Sequence, residues 1–228
     1  MTIILAGIKF IAAGGIWVIP ILVVGAIGLG VIAERYFVLT RTSMRNRKMW
    51  ELLQPILHAG DFEKAREMTR KDKSTVSTLL NIGIERQGVV RRRDDIELAM
   101  EEVMMSIVPQ IEKRISFLAL FANLATLLGL FGTIVGLIDA FSAVATAAPS
   151  EKSALLSLSI SEAMSCTALG LLVAMPMLAF SLLLNVKAGN IIAGLEIASL
   201  KTVNMIARSN AEHRTPQQAA DRGETKAS

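Results

Sequence analysis

Two carboxylates stand where a bilayer-spanning helix normally carries none: Asp139 and Glu162 each fall inside a long apolar run. A charged side chain near the bilayer centre costs at least about 2.5 kcal/mol on insertion scales, so it ordinarily faces a partner, a cavity or an ion path. Ser157, Ser159, Ser161, Ser165, Cys166 and Thr167 crowd the sequence around Glu162. A carboxyl group inside a membrane needs such partners, or water. A carboxylate set among hydroxyls suits an ionisable waypoint for protons, and the rival reading is a buried, protonated Glu that only fixes packing. Asp139 lies nearer the outer end of its run, where it reaches interfacial water. It is an accessory ion-path candidate, and a peripheral role fits equally well.

A second set of residues lies in the preceding apolar run, where Thr126, Gly129, Thr133, Gly136 and Ala140 recur at intervals of three or four. One helix face is therefore small and weakly polar. Small residues let spanning helices approach closely, so packing is the plainer explanation, although packing and pore lining can coexist. At about 1.5 Å of rise per residue, Asp139 and Glu162 are expected in the outer part of the membrane and Thr133 and Thr167 nearer its middle. Glu162 and Thr167 lie about 140° apart on an ideal helix, so they cannot share one narrow stripe. Pro176 removes the donor for a carbonyl one turn earlier, and a helix kink is expected there.

The elements that must position these residues are long helices. The chain has 228 residues, 52% of them hydrophobic, and a mean hydropathy of +0.50, which is too apolar for an ordinary soluble domain. Three stretches, 16–38, 117–145 and 155–186, exceed the roughly 20 helical residues needed to cross about 30 Å of hydrocarbon. Arg41, Arg45, Arg47 and Lys48 follow the first, Lys113 and Arg114 precede the second, and Lys187 follows the third. These place one side of all three spans in the cytoplasm, with the N-terminus outside and the C-terminus inside. No cation precedes the apolar residues 3–8 that open the first hydrophobic segment, and Arg41 onward reads as a stop at the cytoplasmic face, so a cleaved signal peptide is not expected.

Between the spans the reading is a short interfacial helix at 1–15, a cytoplasmic helical domain at 39–116, an outer loop at 146–154, a cytoplasmic helical extension at 187–208 and a disordered tail at 209–228. Gly60-Asp61 predicts a helix stop followed by an N-cap, with Lys64 in reach and a helix running to about Arg70. From Asp94 a helical pattern runs on into the second span, interrupted only by Pro109, where a kink is expected. The fold class is all-α, a polytopic membrane protein.

Several function classes are excluded. The formal net charge is only +4, and the basic residues of the middle segment are interleaved with acids such as Asp61, Glu63, Glu67 and Glu101, which fits a solvated helical surface better than a nucleic-acid interface. Cys166 is the only cysteine, and His58 and His213 lie outside the spans. No disulfide, metal centre or cofactor is expected. The intramembrane serines lack a His or Lys at their depth, so no enzyme is expected either.

The combined motifs are Ala13-Gly14-Gly15 with Pro20, Glu34-Arg35, Ser116-Phe117-Leu118, the run Leu-Gly-Leu-Phe-Gly-Thr-Ile-Val-Gly at 128–136, Glu162-Ala163 through to Thr167, and Gly170 to Pro176. Together they resemble the MotA/TolQ/ExbB proton-channel family, and within it the three-span TolQ/ExbB branch. The resemblance implies a pentamer whose second and third spans line a central pore, with Thr133, Glu162 and Thr167 at the pore positions. It implies a small ExbD/TolR-like partner, with a single spanning helix, inside that pore. It also implies an inner-membrane location and conversion of proton motive force into work on a TonB/TolA-like or other periplasmic effector. A non-conducting scaffold that positions the partner helices is the alternative. Asp139 departs from the family's usual neutral residue, and the tail after Arg208 has no counterpart, so neither inherits a role.

Overall fold

The computed structural model describes residues 15–87 and 92–224. The interfacial helix expected at 1–15 lies, apart from Gly15, outside the described residues. Among those described the secondary structure is entirely helical: α1 (Val18–His58), α2 (Phe62–Lys71), α3 (Thr75–Glu85), α4 (Arg93–Glu112), α5 (Ser116–Thr146) and α6 (Lys152–Glu224). Three helical stretches are long and apolar enough to cross a membrane, and their most apolar 18-residue windows have mean hydropathies of 2.0, 2.0 and 2.2. No more than 39% of any of these windows is buried within the chain. Apolar surface left this bare requires lipid or neighbouring protein to cover it. The chain is a multi-pass membrane protein.

The residues divide into two compact units, Met1–Tyr36 with Arg114–Asn185, and Phe37–Lys113 with Val186–Ser228. In the first, α1 begins after Gly15, whose φ of +65° is a left-handed conformation open to glycine at little cost. The Gly15 carbonyl accepts from Val18 N–H. Pro20 sits in the first turn of α1, where its missing N–H is no loss. Val18 and Ile21 pack with Cys166 and Leu169 of α6. Outward-facing Ile19, Leu22, Val23 and Ile27 on α1 stay exposed, the pattern of a helix whose other faces meet hydrocarbon.

The second unit is built like a soluble helical domain. Asp61 caps α2 by accepting from Lys64 N–H at 3.1 Å, as the Gly60-Asp61 signal predicts, and Gly60 itself takes φ +75°. Ser74 caps α3 by accepting from Ser77 N–H. Leu53, Leu57, Leu79, Leu80, Ile84 and Met100 are fully buried. The Met100 side chain fills the space above Gly83, where a Cβ would collide with its sulfur.

Two expectations change here. The single helix expected to run from Asp94 into the second span is divided: α4 continues through Pro109 and ends at Glu112. Pro109 leaves the Met105 carbonyl without a helical donor, but Met105 is 68% exposed and water can serve that carbonyl. The interruption falls instead at Arg114, a non-glycine residue with φ +65°. Arg114 Nη1 lies 2.8 Å from both carboxylate oxygens of Glu34, a charge-assisted contact that offsets the left-handed strain. Secondly, the segment from 209 to 224, for which composition predicts disorder, is helical backbone continuous with α6.

Candidate functional site

The small-residue stripe of α5 packs against α6 within the first unit. A Cβ on Gly129 would stand 3.2 Å from the Cys166 carbonyl oxygen and from the Cα atoms of Thr167 and Gly170. A Cβ on Gly170 would stand 2.7 Å from the Ala125 carbonyl oxygen. The two backbones therefore touch across glycine, the close approach that small residues permit between spanning helices. Gly136 continues the seam against Ala163.

Into this seam the fold delivers two of the sequence-selected residues together. The hydroxyls of Thr133 and Thr167 are hydrogen-bonded to each other. Thr167 Oγ1 also donates to the Gly129 carbonyl at 2.9 Å, and Thr133 Oγ1 lies 3.2 Å from that carbonyl and 3.3 Å from the Ala163 carbonyl. Two hydroxyl protons thus face more acceptors than they can serve at once, because each hydroxyl has a single hydrogen to give. Small rotations about the Cβ–Oγ bonds exchange the partners. The arrangement is a small polar cluster within otherwise apolar helices.

Glu162 lies elsewhere on α6. It is exposed in the single chain, about 7.5 Å along the axis from Thr167. The neighbouring serines do not serve it: Ser165 Oγ turns back to donate to the Ser161 carbonyl at 2.8 Å, the habit of serine inside a helix. Instead Glu162 Oε1 lies against Gly15, so close that a Cβ there would collide with it. Gly15 thus shapes the surroundings of Glu162, a contact that its place in the Ala13-Gly14-Gly15 motif does not reveal.

Trp17 is a second neighbour that sequence reasoning passed over. Its ring meets Phe131 edge-on, with centroids 4.7 Å apart and planes at 87°. Its Cβ comes within 3.2 Å of where a Gly132 Cβ would be, and the Cys166 thiol crowds the same position. The start of α1 is therefore locked to α5 and α6 beside the threonine pair.

Asp139 lies on α5 about 9 Å beyond Thr133 along the axis, exposed and with no ion pair or hydrogen bond among the described residues. The structure does not bring it to the threonine pair. Pro176 lies within continuous α6, and it leaves the Leu172 carbonyl without its usual donor. Among the described residues no cluster of His, Cys, Asp and Glu could hold a metal ion.

No curated protein matches this chain. Residues 71–197, more than half of the chain, match the MotA/TolQ/ExbB proton channel family, and the match spans Thr133, Asp139, Glu162, Thr167 and Pro176. The chain accordingly belongs to the MotA/TolQ/ExbB proton channel family.

Proposed function

We propose that the chain is the proton-conducting, stationary subunit of an inner-membrane motor of the ExbB/TolQ kind. The observation that carries this reading is the Thr133–Thr167 hydroxyl pair within apolar helices, one and a half turns from an exposed Glu162 that no polar side chain satisfies among the described residues. An intramembrane carboxylate left bare in one subunit is explained when a lumen or a partner completes its surroundings. Five copies around a central pore, with the second and third spans inward, would form rings of Thr133, Glu162 and Thr167. The first unit would span the bilayer with its N-terminal end periplasmic, and the second would lie in the cytoplasm. Asp139 would tune ion entry.

The partner in this reading is an ExbD/TolR-like protein with one spanning helix in the pore, and the output is work on a TonB/TolA-like or other periplasmic effector. Moving one elementary charge through 100 mV releases about 2.3 kcal/mol, enough to bias a conformational step coupled to protonation. The close α5–α6 seam also favours a second reading, a non-conducting scaffold in which the threonines serve packing. The test is energised work in cells carrying Glu162→Gln, with assembly of the complex followed in parallel. Lost work in an assembled complex is the expected result; intact work contradicts the proposal, and disassembly favours the scaffold.

A further inference from the structure

In the second unit Arg45 pairs with Asp72, Arg66 with Glu63 and Arg70 with Glu85. His58, Lys201 and Arg208 behave differently: none has an ion pair or hydrogen bond among the described residues, yet all three line one cavity of about 730 Å³. His58 comes from the last turn of α1. Lys201 and Arg208 come from α6, and Asn204 between them also lines the cavity. Spacings of three and four residues put Lys201, Asn204 and Arg208 on one helix face. No carboxylate lines this space among the described residues.

Two permanent cations and an imidazole around one cavity repel one another when charged, and a bound anion turns that repulsion into attraction. The remaining wall includes the half-buried Met205, backed by the buried Leu57 and Phe62, and Met205 suits the non-ionic body of a ligand. The volume falls within the roughly 300–1,000 Å³ of small-molecule sites. We propose that this cavity binds a solute carrying two or more phosphate groups, held by Lys201, Arg208 and His58, with its apolar part against Met205. A lipid headgroup is the wrong source: His58 lies about 30 Å beyond Val38 along α1, and Lys201 about 22 Å beyond Val186 along α6, where the spans end. Those distances exceed the screening length of about 8 Å at physiological salt. That the solute is cytoplasmic rests on the orientation proposed above.

The test is calorimetric titration of the full chain in nanodiscs of zwitterionic lipid, with inorganic pyrophosphate and ATP as probes. Saturable binding is expected, weakened at least about tenfold in Lys201→Gln/Arg208→Gln as two charge-assisted contacts are lost. Lys201→Arg should retain binding, and Lys48→Gln, an exposed cation outside the cavity, should not alter it. Both altered positions are exposed, so an unchanged melting temperature without ligand is expected in the double variant. No saturable heat with either probe, or equal affinity in the double variant, overturns the site. Binding only to vesicles of anionic lipid overturns it as well. Nanodiscs leave both faces accessible and the readout needs no proton flux, so these results are independent of orientation and conduction. Orientation is read separately, from the side on which an Arg47→Cys variant is labelled.

Discussion

The two units solve the same problem, holding polar atoms in place, by opposite means. In the second, charged side chains pair with one another at the surface, as in Arg47–Glu51, Lys71–Glu67 and Arg70–Glu85, and side-chain caps finish α2 and α3. In the first, the hydroxyls of Thr126, Thr133 and Ser165 bond helix carbonyls, and glycine contacts set the α5–α6 spacing. Its ion pairing gathers around Glu34, with Arg114 and the buried Arg35. The contrast teaches where each unit is vulnerable. The first tolerates no added volume at its seam, whereas the second tolerates loss of many individual charges.

The largest effect is therefore expected from volume. Gly170→Val places a side chain against the Ala125 carbonyl and the Gly129 backbone, and overpacking of this kind costs about 1–3 kcal/mol or more. Its melting temperature in detergent should fall well below wild type, while Gly189→Val, which meets open space, should change it far less. Equal melting of the two variants would remove the seam from the account.

Gly15→Ala should act on function more than on stability. Alanine at φ +65° costs about 1 kcal/mol, and its Cβ displaces the Glu162 carboxylate. Proton flux should change severalfold with only a small shift in melting. Unaltered flux would show that the Gly15 contact does not position Glu162.

The second unit should reveal itself through acid. Burial pushes the Asp72 carboxyl upward, but hydrogen bonds from Ser74 and Ser77, with Arg45 beside it, outweigh this and hold it at about 2, against an ordinary 3.8. A carboxyl depressed on folding stabilises the folded state above its unfolded value and loses that contribution as pH falls through its folded value. Asp72→Asn should melt lower than wild type near neutral pH, and the gap should close between about pH 4 and pH 2. A gap as wide at pH 2 as at neutral pH would assign the loss to packing. The smallest effect belongs to the exposed Arg47–Glu51 pair: Arg47→Ala should leave thermal melting unchanged within error.

Much of this was legible in the sequence because the governing physics is local. Apolar run lengths mark the three candidate spans, Gly60-Asp61 marks the cap at α2, and three- and four-residue spacing puts Gly129, Thr133 and Gly136 near one helix face. What stayed hidden depends on register between distant segments. Nothing around Gly15 states that it will meet Glu162, and nothing around Thr133 states that its partner is Thr167. The helix break at Arg114 carries no glycine or proline signal, and its contact with Glu34 joins residues 80 apart in sequence. Pro109 did carry such a signal, and α4 runs on through it to Glu112. The cavity at His58, Lys201 and Arg208 was equally illegible, because its cations come from helices joined only through the rest of the chain.

The central claim is that Glu162 lies on a proton path that the Thr133–Thr167 pair continues. Its most direct test is proton flux into liposomes containing this protein with the proposed ExbD/TolR-like partner, comparing wild type with Glu162→Gln after equal oligomer assembly has been verified. The account predicts that flux is lost in Glu162→Gln; flux equal to wild type would contradict it and return Glu162 to packing.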